Sequence, residues 1–112
     1  MGTPYYVAPE VLTGVYGPKC DTWSTGILLY YMVSTKFPFL GRNKTELFKN
    51  VKKGDYKEPD NFSNDLCDLL KNMLVTNPDK RWSIAKCLEH PFVKKNLETN
   101  IPQETKEVIK RL

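Results

Sequence analysis

His90 is the only histidine in the chain, and no cluster of other reactive side chains makes up for it. Its neighbours Pro91 and Phe92 suggest a packed, hydrogen-bonded ring at a helix junction rather than a general base. Neither a Ser-His-Asp relay nor a histidine-rich metal site is indicated. The carboxylates are scattered, with no E-x-x-H pattern and no paired aspartates. Neither G-x-G-x-x-G nor G-x-x-x-x-G-K-[ST] occurs, so no such loop is present to cradle a phosphate with backbone N–H groups. The cysteines, Cys20, Cys67 and Cys87, are odd in number and far apart. They lack the C-x-x-C spacing of a zinc site and suit a reducing, cytoplasmic compartment better than a disulfide framework. By type and spacing alone, the residues support a helical interaction module without an active site of its own.

A length of 112 residues allows one small domain or a piece of a larger one. Hydrophobic residues at 40% and charged residues at 27% exclude the disordered and collagen-like classes. Seventeen basic against thirteen acidic side chains leave +4, too diffuse for a nucleic-acid or membrane surface. The apolar run from Ile27 to Val33 is much shorter than the roughly 18 residues of a membrane span. Met1-Gly2 lacks the Ser or Thr of a myristoylation signal where Tyr6 stands. No charged segment leads into an apolar core, so no signal peptide is read, and the sequons at Asn43 and Asn61 are read as chance.

The elements follow from punctuation and period. Pro4, Pro9, Gly14, Gly17 and Pro18 in the first twenty residues predict a loop with one short helix around Glu10 to Thr13. Asp21, read as an N-cap, opens a helix to Ser34 that is apolar on nearly every side and therefore needs protein all round. Residues 36–42 read as a loop. Asn43 followed by Glu46 has capping-box spacing and opens a helix with Leu47, Phe48 and Val51 on one side, stopped by Gly54. Leu66, Leu69, Leu70, Met73 and Leu74 repeat at helical intervals behind Ser63 or Asn64. Ser83 caps a fourth helix broken by Pro91, after which Phe92 and Val93 give a last apolar contact. A terminal helix over 103–112 would align Val108, Ile109 and Leu112. The chain reads all-α.

Three segments are more specific than any of these patterns. They are Gly2-Thr3-Pro4-Tyr5-Tyr6-Val7-Ala8-Pro9-Glu10, Asp21-Thr22-Trp23-Ser24-Thr25-Gly26 and Asn77-Pro78-Asp79-Lys80-Arg81. Their order and spacing resemble the C-terminal lobe of eukaryotic protein kinases, from residue 2 to about 95. The Gly-Thr-x-x-Tyr loop looks like the Ser/Thr class. Tyr16-Gly17-Pro18-Lys19-Cys20-Asp21 and Glu89-His90-Pro91-Phe92 look most similar to calcium-dependent protein kinases.

The resemblance implies the helical C-terminal half of a kinase large lobe: a partial kinase domain over 1–95, with 96–112 as a tail or the start of a junction segment. It pairs Glu10 with Arg81. It gives Asp21 backbone N–H groups of the catalytic loop to accept, and makes Trp23 and Gly26 structural, as core bulk and close backbone approach. It places the Thr3 hydroxyl beside the catalytic aspartate and lysine, and makes Pro4 and Val7 an apolar wall for the residue after the phosphorylated Ser or Thr. Tyr6 braces that loop. Thr22 stands where the family more often has Val, adding a hydroxyl to be satisfied. Tyr31 stands where some members that prefer basic substrates carry Glu.

ATP and Mg²⁺ would serve the family's complete domain, but the glycine-rich loop, strand lysine, catalytic loop and D-F-G aspartate that hold them are missing here. No residue of this chain is expected to bind either, and the chain alone is not expected to transfer phosphate. The implied partners are a protein or peptide substrate, the missing N-terminal part of the domain and a C-terminal calcium-binding regulatory domain. The alternative is a non-catalytic docking module using the loop from Thr3 to Val7 and the helix around Leu47. Because the helix from Asp21 lacks the lobe's preceding helices, it should expose apolar surface.

Overall fold

Helix α1, Lys19–Ser34, is the spine on which the other elements pack. The computed structural model describes residues 4–100, with side chains over 5–95. Thr3 and the helix expected over 103–112 lie outside the described residues. Before α1 come two 3-10 helices, Pro4–Tyr6 and Pro9–Thr13; after it come α2 (Lys44–Lys53), α3 (Asn64–Met73), α4 (Ile84–Cys87) and α5 (Pro91–Asn100). The described residues contain no strand. α1 touches the first 3-10 turn, α3 and α4; α2 touches the second 3-10 helix, and α5 packs on α3.

The caps are where local sequence decides most. Asn43, with extended backbone, accepts the Glu46 N–H on its side-chain oxygen at 2.9 Å. The Glu46 carboxylate pairs with Arg42 at 3.0 Å. Ser63 accepts the Leu66 N–H at 3.1 Å and Ser83 the Lys86 N–H at 3.2 Å, each satisfying a first-turn donor that the helix leaves without a partner. Gly54 ends α2 at φ 75°, a left-handed conformation, and a Cβ there would lie 2.4 Å from the Thr76 methyl.

Two boundaries differ from the sequence expectation. Asp21 does not cap α1. The helix opens at Lys19 behind Pro18, whose ring-fixed φ of −61° already suits a helix start, and no side chain caps it. Asp21 sits exposed in the first turn, where its negative charge suits the electropositive helix end. Pro91 does not simply end the helical run; it begins α5. A first-turn proline lacks an N–H that would have had no helical partner anyway. His90 replaces a conventional cap: its Nδ1 accepts the Phe92 N–H at 3.1 Å. The ring proton therefore sits on Nε2 and donates to Asp68 Oδ2 at 2.8 Å.

The core forms on one side of α1. Trp23 and Ile27 are fully buried and Tyr30 nearly so, and they meet Phe39, Leu47, Val51, Phe62, Leu66, Leu70 and Leu74. Trp23 stacks on Phe39 with 5.5 Å between ring centroids. A smaller cluster joins Leu69, Met73 and Cys87. Gly26 lets α1 approach the end of α3 closely, since a Cβ there would sit 3.0 Å from Leu74 Cδ2 and Met73 Cβ. The expected exposed apolar surface is present on the opposite side: Leu28 is 44% exposed, Met32 69%, and Tyr31 and Val33 are open as well.

Thr22 in α1, and Thr35 just past its end, carry unrelieved costs, as does the Trp23 indole N–H, buried without a partner among the described residues. Thr22 is fully buried, and its hydroxyl has no partner among the described residues. Thr22→Val keeps the shape and removes that oxygen, so urea unfolding should show a gain of about 1 kcal/mol. Thr35, just past the helix, holds φ 62° so that its N–H can reach Tyr31 O at 2.7 Å. A β-branched residue is strained there by about 1–2 kcal/mol. Thr35→Gly should raise the unfolding midpoint, by about 1 kcal/mol after allowing for glycine's greater unfolded entropy.

Candidate substrate-binding loop and its anchors

The segment from Pro4 to Glu10 is a short 3-10 turn, two extended residues and the start of a second turn. Such a segment has no ladder of its own to hold it, so its position depends on what grips it. Ser24, one turn into α1, donates its hydroxyl to Tyr6 O at 2.8 Å. Tyr5 stacks on Phe37 at 4.7 Å, and Tyr6 meets the same ring edge-on at 5.5 Å. Ala8 is buried and Val7 half-buried, so the chain enters the core between the aromatic end and Glu10. Pro4 opens the first turn.

Glu10 and Arg81, 71 positions apart, meet face to face. The two terminal nitrogens of the guanidinium donate to the two carboxylate oxygens at 2.7 and 2.8 Å. Its remaining N–H groups go to backbone carbonyls: Nε to Val75 at 2.8 Å, and the terminal nitrogens also to Lys19 at 2.8 Å and Thr76 at 3.4 Å. All five donors therefore have an acceptor. The Arg81 side chain is fully buried and that of Glu10 is 9% exposed. Trp23 lies beneath the guanidinium, 5.1 Å from its carbon to the ring centroid.

Sequence reasoning missed four members of this assembly. Lys19 returns the contact, donating its ammonium to Arg81 O at 2.6 Å and Pro78 O at 3.2 Å. The Cys20 thiol donates to Glu10 Oε2 at 3.2 Å. Lys19 and Cys20 precede the Asp21 motif directly, and that adjacency was the available signal. Ser24 stood inside the motif without a role, and Phe37 had none to suggest one. Asp21 itself stays apart from the Glu10–Arg81 pair, exposed on its own side of the first turn.

Electrostatics follow from this geometry. Burial by itself would raise the Glu10 carboxyl. Hydrogen bonds from Arg81, its own backbone N–H and Cys20, with the Arg81 charge, outweigh burial and hold it below its ordinary 4.5. Burial first, and the bond to Glu10 second, push the Cys20 thiol up, so it stays the protonated donor the geometry needs. A carboxyl lowered in the folded state stabilises the fold at pH above its ordinary value, and the contribution fades as pH falls through the lowered one. Wild-type protein should thus lose stability below about pH 4.5. Glu10→Gln should be less stable at pH 7, and its deficit against wild type should shrink in acid-titrated urea unfolding. Arg81→Met, which leaves a buried carboxylate unpaired, should cost about 3–5 kcal/mol. A cost below 1 kcal/mol would show that the pair is not what fixes the loop.

The described residues do not fit the Mg²⁺–ATP that the resemblance implies for a complete domain. No three His, Cys, Asp or Glu side chains among them converge on a point where a metal ion would sit. Glu10, the single carboxylate of the segment from Pro4 to Glu10, is committed to Arg81 and Cys20.

Comparison with known proteins agrees with this architecture. The protein kinase domain family matches residues 1–93. Calcium-dependent protein kinase 3 of Plasmodium yoelii yoelii is 46% identical over 98 residues, which cover 84% of this chain and 18% of that protein. CBL-interacting protein kinase 5 of Oryza sativa subsp. japonica is 41% identical over 96 residues, 84% of this chain and 21% of that one. The chain thus spans about a fifth of the length of these relatives. In structure it superposes on Rad53 1-466 in complex with AMP-PNP with a TM-score of 0.75 at 34% identity, covering 82% of this chain and 26% of that one. The chain, with its buried Glu10–Arg81 bond and helical half-lobe, belongs to the protein kinase domain family.

Proposed function

We propose that this chain supplies the substrate-binding loop and the helical lobe core for ATP-dependent phosphorylation of Ser or Thr in proteins, and that it does not transfer phosphate by itself. The observation that carries this reading is the bidentate Arg81–Glu10 bond, which ties the loop to a helix pair far along the chain. On the family likeness, Pro4 and Val7 are assigned to the apolar wall for the residue following the phosphorylated one, Tyr6 to bracing the loop, and Thr3, which lies outside the described residues, to the reacting hydroxyl. Asp21, exposed at the start of α1, is free to accept backbone N–H groups from the remainder of a kinase domain. The open apolar side of α1, with Leu28 and Met32, suits the same partner.

The remaining assignments rest on likeness to calcium-dependent protein kinases: a cytoplasmic location, a calcium-binding regulatory domain as a further partner, and a tail from residue 96 as the start of a junction to it. The three free thiols suit that compartment.

Phosphoryl transfer depends on phosphate and magnesium ligands that position the nucleotide. In a single-turnover experiment with Mg²⁺, labelled ATP and a Ser/Thr peptide, the pure 112-residue protein should give no phosphopeptide. The same segment within a complete catalytic domain should give it. Phosphorylation by the pure chain would overturn the second half of the proposal, and failure of the complete domain the first.

A further inference from the structure

The aromatic rings beside the loop form a surface of their own. Phe37 is stacked by Tyr5 at 4.7 Å and by Tyr31, from the last turns of α1, at 4.6 Å, with Tyr6 edge-on. Tyr31 is 39% exposed and Tyr5 half-buried, so the stack is reachable from outside. The two segments that build it, 4–9 and 31–41, contain no aspartate or glutamate at all. Their single charge is Lys36, exposed and without an ion pair among the described residues. The nearest carboxylate in sequence, Glu10, is consumed by Arg81.

We propose that Tyr5 and Tyr31, aligned by Phe37, form a subsite that receives an aromatic or branched aliphatic side chain of the protein substrate, and that it selects against arginine and lysine. This rests on the reading of 4–7 as the substrate-binding loop and adds the chemical class of the segment that binds there. The ring faces supply apolar contact area and a stacking geometry. A guanidinium can also lie on a tyrosine, but such a contact is weak at an exposed site, neither segment offers a carboxylate to complete it, and the one charge they carry, Lys36, is of the same sign. The same Lys36 favours an acidic residue next to the apolar one. Phe37 touches the rings rather than the substrate and is a positioning residue.

The test is binding to the 112-residue chain, read from the ring resonances of Tyr5, Tyr31 and Phe37 during titration with three serine peptides. These differ at one flanking position, Phe, Ala or Arg, in an otherwise Asp/Gly-rich sequence. The Phe peptide should shift the rings saturably and bind about five- to tenfold more tightly than the Ala peptide, with the Arg peptide no better than Ala. Tyr31→Glu should reverse the order of Phe and Arg, whereas Tyr31→Phe should preserve it; unchanged urea midpoints confirm that both variants fold. An Arg peptide binding wild type as tightly as the Phe peptide would overturn the proposal. So would rings that respond to no peptide. Either result leaves the phosphotransfer reading standing, since that is decided by the complete domain and labelled ATP.

Discussion

A guanidinium taken wholly out of water must find five acceptors or the fold is penalised by several kcal/mol, and Arg81 finds them on three different stretches of chain. That requirement fixes more of this molecule than any apolar contact does. Glu10 brings the loop, Lys19 the start of α1, and Val75 and Thr76 the turn after α3. None can move without stranding a buried donor. Exchange of such a buried pair for well-packed apolar side chains is often neutral or stabilising, so net stability is a weak explanation for it. What an apolar substitute would lack is directionality. Two parallel N–H···O bonds set both the distance and the plane of the carboxylate, and hence the course of the backbone that carries Glu10.

Lys19 and Cys20 make the arrangement cooperative. Lys19 accepts from Arg81 through its carbonyl and donates back to the Arg81 carbonyl through its ammonium, locking side chain and main chain of both residues. The Cys20 thiol donates to the oxygen that already takes an Arg81 bond. Hydrogen bonds joined in this way polarise one another. The indole of Trp23 closes the underside and excludes water.

Legibility in the sequence followed the range of the interaction. Caps at Asn43, Ser63 and Ser83 are contacts across three residues, and each was visible as a side-chain type in front of a periodic run. The apolar side of α3 was visible because Leu66, Leu69, Leu70 and Met73 repeat against polar neighbours. α1 gave no such contrast. With apolar residues on every side its period is silent, so the division between Trp23, Ile27 and Tyr30 inside and Leu28 and Met32 outside came only with the structure. Its start was misread for a related reason. An aspartate is a common cap, but Pro18 already had the backbone a helix start needs. Pro91 misled in the opposite sense, as a breaker that in fact opens α5 because His90 takes the capping role. At the site, Glu10 and Arg81 were paired only through likeness to a family, since nothing local links positions 71 apart. The ring of Phe37 could not be placed at all, because stacking has no spacing rule along a chain.

The loop is held at its two ends by interactions of different physical kind, and α1 is the rod between them. Its 16 residues span about 24 Å. One end carries Lys19, Cys20 and Trp23 against the ionic pair; the other carries Tyr31 in the aromatic stack. The ionic end is deep and directional, answers to acid through Glu10, and is little screened by salt because water is excluded. The aromatic end is partly open, non-directional apart from ring geometry, and indifferent to both. A chain segment without a ladder of its own can be rigid at one end and adaptable at the other only if such a division exists. The rigid end fixes the course of the backbone at Glu10, and the open end at Tyr5 keeps room to adjust to whatever packs beside it.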